Sequence, residues 1–125
     1  MKKLIKLFLS IAIVFSGLNA FAAGGYFNPN LDVREVRASH ILVSSRKEAL
    51  QLKKEIKNGD ITFEDAAIQY SQCPSGRRGG DLGYFNRKQM VQSFADTAFD
   101  LKIGEISDPV GTKFGWHIIK TTDKR

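Results

Sequence analysis

The change of hydrophobic period after residue 43 constrains this chain more than any other feature. Val36, Ala38, His40 and Leu42 alternate with Arg37, Ser39, Ile41 and Val43. A period of two with apolar residues on both sides predicts a strand covered at least partly on each face. From Ser45 onward the period is helical. Ser45 offers an N-cap, Ala49, Leu52 and Ile56 share one stripe, and Asn58-Gly59 supplies a stop, so 45–58 is predicted to be an amphipathic helix. A second helix follows almost at once. Thr62 with Asp65 resembles a capping box, and Phe63, Ala66, Ala67 and Tyr70 keep the i, i+3, i+4, i+7 spacing.

The remainder is punctuated by glycine. Pro74, Gly76, Gly79, Gly80 and Gly83 make 71–83 a loop and tight turn that leads into a short strand at 82–85. Val91, Phe94, Ala98 and Leu101 then share a helical face widened by Ala95 and Phe99, and Lys102-Ile103-Gly104 closes that third helix. Residues 105–110 and 115–121 read as two closing strands joined by a turn containing Gly111. The order strand, helix, helix, strand, helix, strand, strand predicts an α+β domain with a small, mainly antiparallel sheet. No internal repeat or low-complexity tract interrupts it.

The first residues stand apart from this domain. Lys2, Lys3 and Lys6 precede the apolar run 7–15, and Ala20-Phe21-Ala22 supplies a small-x-small pattern. Residues 1–22 are therefore expected to be a signal peptide cut before Ala23, with a flexible lead-in over 23–34 and the domain over 35–125. The apolar run is shorter than the ~20 residues of a spanning helix, so an uncleaved membrane anchor is the weaker alternative. Membrane contact is then only transient, and no Cys near the cut offers a lipid attachment point. A chain of 125 residues with a 42% hydrophobic share suits one domain with one core, expected to be a monomer.

Removing the signal also reduces the basicity. The net +6 of the full chain becomes +3, with 16 Lys and Arg against 13 acids, once Lys2, Lys3 and Lys6 are gone. The remaining cations are interleaved with acids along the sequence, as in Lys53-Lys54-Glu55-Ile56-Lys57. That pattern reads as a solvated helix face and argues against a nucleic-acid partner. The only Cys, Cys73, cannot form an intramolecular disulfide.

The two histidines are the most informative polar residues, because each lies inside an apolar strand: His40 in Ser39-His40-Ile41-Leu42, His117 in Trp116-His117-Ile118-Ile119. One such His is more often a hydrogen-bonded core residue than a catalyst. Two, on the first and last strands of a small sheet, could share a site. Metal binding is disfavoured, since the chain lacks close-set Cys or His pairs, and no cofactor is expected. Cys73 sits in a Gly-rich loop that could expose a nucleophilic thiol, but no protease-type elbow surrounds it. Gly79-Gly80-Asp81-Leu82-Gly83 lacks the Lys-Ser/Thr ending of a phosphate loop. Leu82, Phe85, Met90, Phe94 and Phe114 are core by base rate. Met90, however, stands in the polar run after Asn86, where a core residue is less expected and Met suits adaptable apolar contacts, so the core and pocket readings stay close.

Taken together, the segments resemble the parvulin family of peptidyl-prolyl cis/trans isomerases. Arg37-Ala-Ser-His-Ile-Leu-Val43 is similar to that family's opening strand, and Ser71-Gln-Cys-Pro-Ser75 with Arg78-Gly-Gly-Asp-Leu-Gly83 to its central loop and strand. Gln89-Met-Val91, Phe94 and Ala98-Phe99 resemble its third helix. Residues 104–110 and Phe114-Gly-Trp-His-Ile-Ile-Lys120 resemble its closing hairpin. The resemblance implies a four-stranded antiparallel sheet wrapped by three to four helices in βααβαββ order, with His40 and His117 adjacent and Cys73 beside them. It implies a proline pocket of Leu82, Met90 and Phe94 with Phe85 alongside, Thr112 at a hydroxyl position of the site network, and Phe114 where some relatives carry a small polar residue. The implied function is rotation of X-Pro bonds in exported or folding proline-containing polypeptides by an exported, periplasmic protein, without a phosphate requirement, because Val43 passes through Ser44-Ser45 directly into a helix. The alternative is a peptide-binding chaperone module with little isomerase activity.

Overall fold

The computed structural model describes residues 32–125; the expected signal peptide and most of the expected lead-in lie outside the described residues. The chain runs β1 (Val36–Val43), α1 (Arg46–Asn58), α2 (Phe63–Tyr70), β2 (Asp81–Phe85), α3 (Gln92–Asp100), β3 (Val110–Thr112) and β4 (Gly115–Lys124), with 3-10 turns at Pro74–Arg78 and Arg87–Gln89. The predicted caps form. Ser45 Oγ accepts from Glu48 N–H, Thr62 Oγ1 accepts from Asp65 N–H, and Gly59 closes α1 in the left-handed conformation at φ +82°.

One antiparallel sheet has the strand order β2-β1-β4-β3, so the first and last strands are central neighbours. The alternation of β1 is used on both faces. Ile41 and Val43 join Ile118 beneath Ala49 and Leu52 of α1 and Phe63, Ala66 and Ala67 of α2. Val36 and Ala38 join Ile119 and Phe85 beneath Phe94, Ala98 and Phe99 of α3. Each helix supplies an apolar stripe that the sheet removes from water, the main stabilising term for such a layered domain.

Four boundaries differ from the sequence expectation, the first being that the last strand runs to Lys124 and does not end at 121. Residues 105–109 are extended but touch β4 only locally, through Ser107 N–H to Ile119 O (2.8 Å) and the Ile106–Lys120 bridge. Pro109 offers no N–H to a ladder, so regular pairing begins only at Val110. Gly111 is paired in β3 against the Trp116 ring, and the turn falls at Lys113-Phe114. Val91 is the exposed N-cap of α3, so the buried stripe is Phe94, Ala95, Ala98 and Phe99. Among the described residues no helix is long and apolar enough to cross a membrane.

Candidate functional site

His40 and His117 project from the α3 side of the two central strands, and their Nδ1 atoms lie 3.0 Å apart. The imidazoles lie edge to edge and nearly coplanar, with centroids 5.2 Å apart and planes at 16°, and Phe94 meets both edge-on at 5.4 and 5.2 Å. The pairing of β1 with β4 and one aromatic ring from α3 thus fix both histidines. Both rings are buried. Desolvation, followed by the proximity of His117, lowers the His40 pKa to about 4, and desolvation lowers that of His117. Near pH 7 both are neutral.

Neutral rings must share their protons in order. Thr112 Oγ1 accepts from Phe114 N–H (3.2 Å) and lies 2.7 Å from His117 Nε2. If the hydroxyl donates to that nitrogen, His117 carries its proton on Nδ1, donates it to His40 Nδ1, and leaves the His40 proton on Nε2. The chain Thr112–His117–His40 is then continuous. His40 Nε2 is buried with no partner among the described residues.

Cys73 reaches the same place by a different route. Gln72 N–H donates to Leu42 O (2.8 Å), while Ser71 Oγ accepts from Leu42 N–H (3.1 Å) and Cys73 N–H (3.3 Å), which ties the loop to β1. The half-buried thiol accepts from Ser75 Oγ at 3.3 Å. On the other side, His40 N–H donates to Gly80 O at 3.0 Å.

Together these elements enclose a pocket of about 330 Å3. His40, Cys73, Leu82, Met90, Phe94, Thr112, Phe114 and His117 all line it. Phe85 does not. It is fully buried behind the pocket, packed against Phe94 (6.0 Å) and Phe99 (6.3 Å), because its end of β2 pairs with Val36 at the core end of β1. Sequence reasoning missed Leu42, Gln72, Pro74 and Val91 in the lining. Leu42 was available from its alternation with His40, whereas the others depend on how the loop and the α3 entry fold back. None of the lining residues carries a formal charge near pH 7, and Phe114, 61% exposed, stands at the rim. Among the described residues no three metal-ligating side chains are grouped.

Residues 37–123 match the family described as Rotamase, PPIC-type PPIase domain. The chain is 50% identical over 92 residues to the foldase protein PrsA of Bacillus subtilis, a match that covers 73% of this chain and 31% of that protein. The solution structure of NmPin, a parvulin of Nitrosopumilus maritimus, matches at TM-score 0.65 and 41% identity over 71% of this chain and 96% of that one. One of two SurA-like chaperones of Campylobacter jejuni matches at TM-score 0.68 and 30% identity over 100% of this chain and 57% of that one. The chain thus spans about a third of the length of the curated PrsA relatives.

Proposed function

The chain belongs to the rotamase family of PPIC-type peptidyl-prolyl isomerase domains, and on that footing we propose that it accelerates X-Pro rotation in polypeptides by a non-covalent route. One observation carries this reading: an uncharged apolar pocket, sized for a small ring, abuts two neutral imidazoles bonded edge to edge. The barrier to amide rotation is about 18–20 kcal/mol because resonance gives the C–N bond double-bond character. A catalyst need only bind the twisted amide better than either planar form. Leu82, Met90 and Phe94 grip the proline ring and exclude water, so rotation is confined to the other side of the bond. Neutral His40 and His117 keep the floor rigid. Thr112 and Cys73 set the polarity where the carbonyl turns, and no bond to sulfur is formed.

The substrates are proline-containing segments of unfolded or exported chains, the protein acts as a monomer, and its place is outside the cytoplasm, in a periplasm where one exists. Support comes from the N-terminal sequence pattern and from the names of the foldase and SurA-like relatives. Phosphate before the proline is not required, since no cation lines the pocket.

A proline-isomerisation assay on short X-Pro peptides tests the reading. The wild-type chain is expected to accelerate exchange, and Leu82→Ala/Met90→Ala to lower kcat/KM about 100-fold through lost apolar contact. Both residues are only half-buried, so this pair spares the fold better than a change at Phe94, which is core. Peptide binding without acceleration by the wild type would leave only the chaperone alternative. Within the same assay a phosphorylated peptide should gain no advantage.

The role of Cys73 has its own test. Cys73→Asp is expected to keep most of the turnover, because polarity beside the carbonyl survives. A loss of about a thousandfold with the fold intact would make the thiol a nucleophile instead.

A further inference from the structure

The charges of α1 are not interleaved in space as they are in sequence. The helix carries Arg46, Lys47, Lys53, Lys54 and Lys57 against Glu48 and Glu55. That net +3 equals the net charge of the whole of 32–125, so the rest of the described chain is balanced. At 100° per residue the five cations fall within an arc of about 120°, with both glutamates outside it. Leu50, 40% exposed, lies near the middle of the arc. Lys53 is paired with Asp108 at 2.5 Å, and that exposed carboxylate is also close enough to feel Lys57 and Arg46, but Arg46, Lys47, Lys54 and Lys57 form no salt bridge among the described residues and are exposed.

We propose that this outer face of α1 docks on an anionic lipid membrane. A 13-residue helix presents a face about 20 Å long, and cations held on one plane act together on a negatively charged surface within a Debye length of about 8 Å. Leu50 decides the kind of polyanion. A polymer is satisfied by the cations alone, whereas a headgroup layer also takes up an apolar side chain set among them. The orientation that results leaves the site free. The inner face of α1 packs on Ile41, Val43 and Ile118, while His40 and Leu42 point to the opposite face of the sheet. A docked domain therefore holds the pocket away from the bilayer, toward chains passing by.

The test compares full-length wild type with Lys47→Glu/Lys54→Glu/Lys57→Glu by cosedimentation with vesicles of phosphatidylcholine alone or with 30% phosphatidylglycerol added, roughly a physiological anionic fraction. Both proteins share any contribution from Lys2, Lys3 and Lys6, and circular dichroism checks the fold. A Lys→Gln version of the same three sites replaces the reversal should it fail to fold. The wild type is expected to bind the anionic vesicles about 100-fold more tightly than the Lys→Gln version, roughly five-fold for each lysine charge lost, and more tightly still relative to the reversal variant. The difference should vanish on neutral vesicles. Leu50→Ser should weaken vesicle binding several-fold but leave binding to polyglutamate unchanged. Equal binding of wild type and variant to anionic vesicles overturns the proposal. So does an unaltered vesicle affinity of Leu50→Ser together with equally tight binding to polyglutamate, which would mark a surface for acidic polymers. Isomerase turnover should be the same in all these variants, because none of the changed residues lines the pocket.

Discussion

Replacing Gly80 by alanine is expected to destabilise this domain by about 3–5 kcal/mol, a large part of the ~5–15 kcal/mol that holds a typical domain together. Gly80 sits at φ +86°, and a Cβ there would lie 2.3 Å from the carbonyl oxygen of His40 and 3.1 Å from its nitrogen. Both are backbone atoms of a central strand, so neither can rotate away. The left-handed conformation alone costs a non-glycine residue about 1–2 kcal/mol. Relieving the clash must also stretch the 3.0 Å bond from His40 N–H to Gly80 O. Gly83 supplies the control: it too has positive φ, +71°, but open space where its Cβ would go. Gly83→Ala should therefore show the conformational cost alone. Thermal unfolding should place Gly80→Ala about 15 °C or more below wild type, at about 4–8 °C per kcal/mol for a domain of this size. If the two variants melt within a few degrees of each other, close approach to His40 is not what Gly80 is for. Because the displaced backbone is that of His40, turnover should fall in Gly80→Ala even at temperatures where it is folded.

That glycine also marks where sequence reading stopped. Alternation from Val36 to Val43, the caps at Ser45 and Thr62 and the stop at Gly59 are local, set by neighbours within four or five residues, and the sequence shows them directly. The need for Gly80 comes from β1, forty residues away, so Gly79-Gly80 reads only as a turn. The same reason explains Phe85. Its apolar character was legible, but whether it faces the pocket or the core depends on its pairing with Val36. Residues 105–109 have strand-like composition, so the sequence predicts the first closing strand five residues early, while Pro109 and the local contact at Ser107 interrupt the ladder. Composition along α1 likewise suggested mixed charge, and only the helical projection separates the signs. The histidines were the exception among long-range features. Two polar rings in two apolar strands each need a partner when buried, which makes a shared site plausible without the fold, although only the pairing of β1 with β4 brings them into contact.

That partnership has a consequence in acid. Lowering the pH from about 6.5 to about 4 is expected to remove about 3 kcal/mol of stability through His40 alone. In the unfolded chain His40 takes up a proton near pH 6.5, whereas in the folded domain burial and the neighbouring His117 delay this to about pH 4. Across that window the unfolded state binds more protons, so stability falls as the pH falls, with a slope of about 1.4 kcal/mol per pH unit for each fully titrating group. Above pH 6.5 the ring is neutral in both states and contributes no slope. His117, also lowered by burial, adds in the same direction. The surface carboxylates held down by cations, Asp81 by Arg37 and Asp108 by Lys53, lose their contribution only as the pH falls below the ordinary carboxylate range. Urea unfolding followed by the single Trp116 at pH 7, 5.5 and 4.5 reads this window. His40→Gln is expected to be less stable at pH 7, through loss of the ring packed on Phe94 and bonded to His117, but to show a visibly shallower slope between pH 6 and 4.5. A wild-type stability unchanged from pH 6.5 to 4.5 would mean that the folded site accepts the proton readily. The neutral imidazole pair from which the non-covalent route was built would then have to be given up.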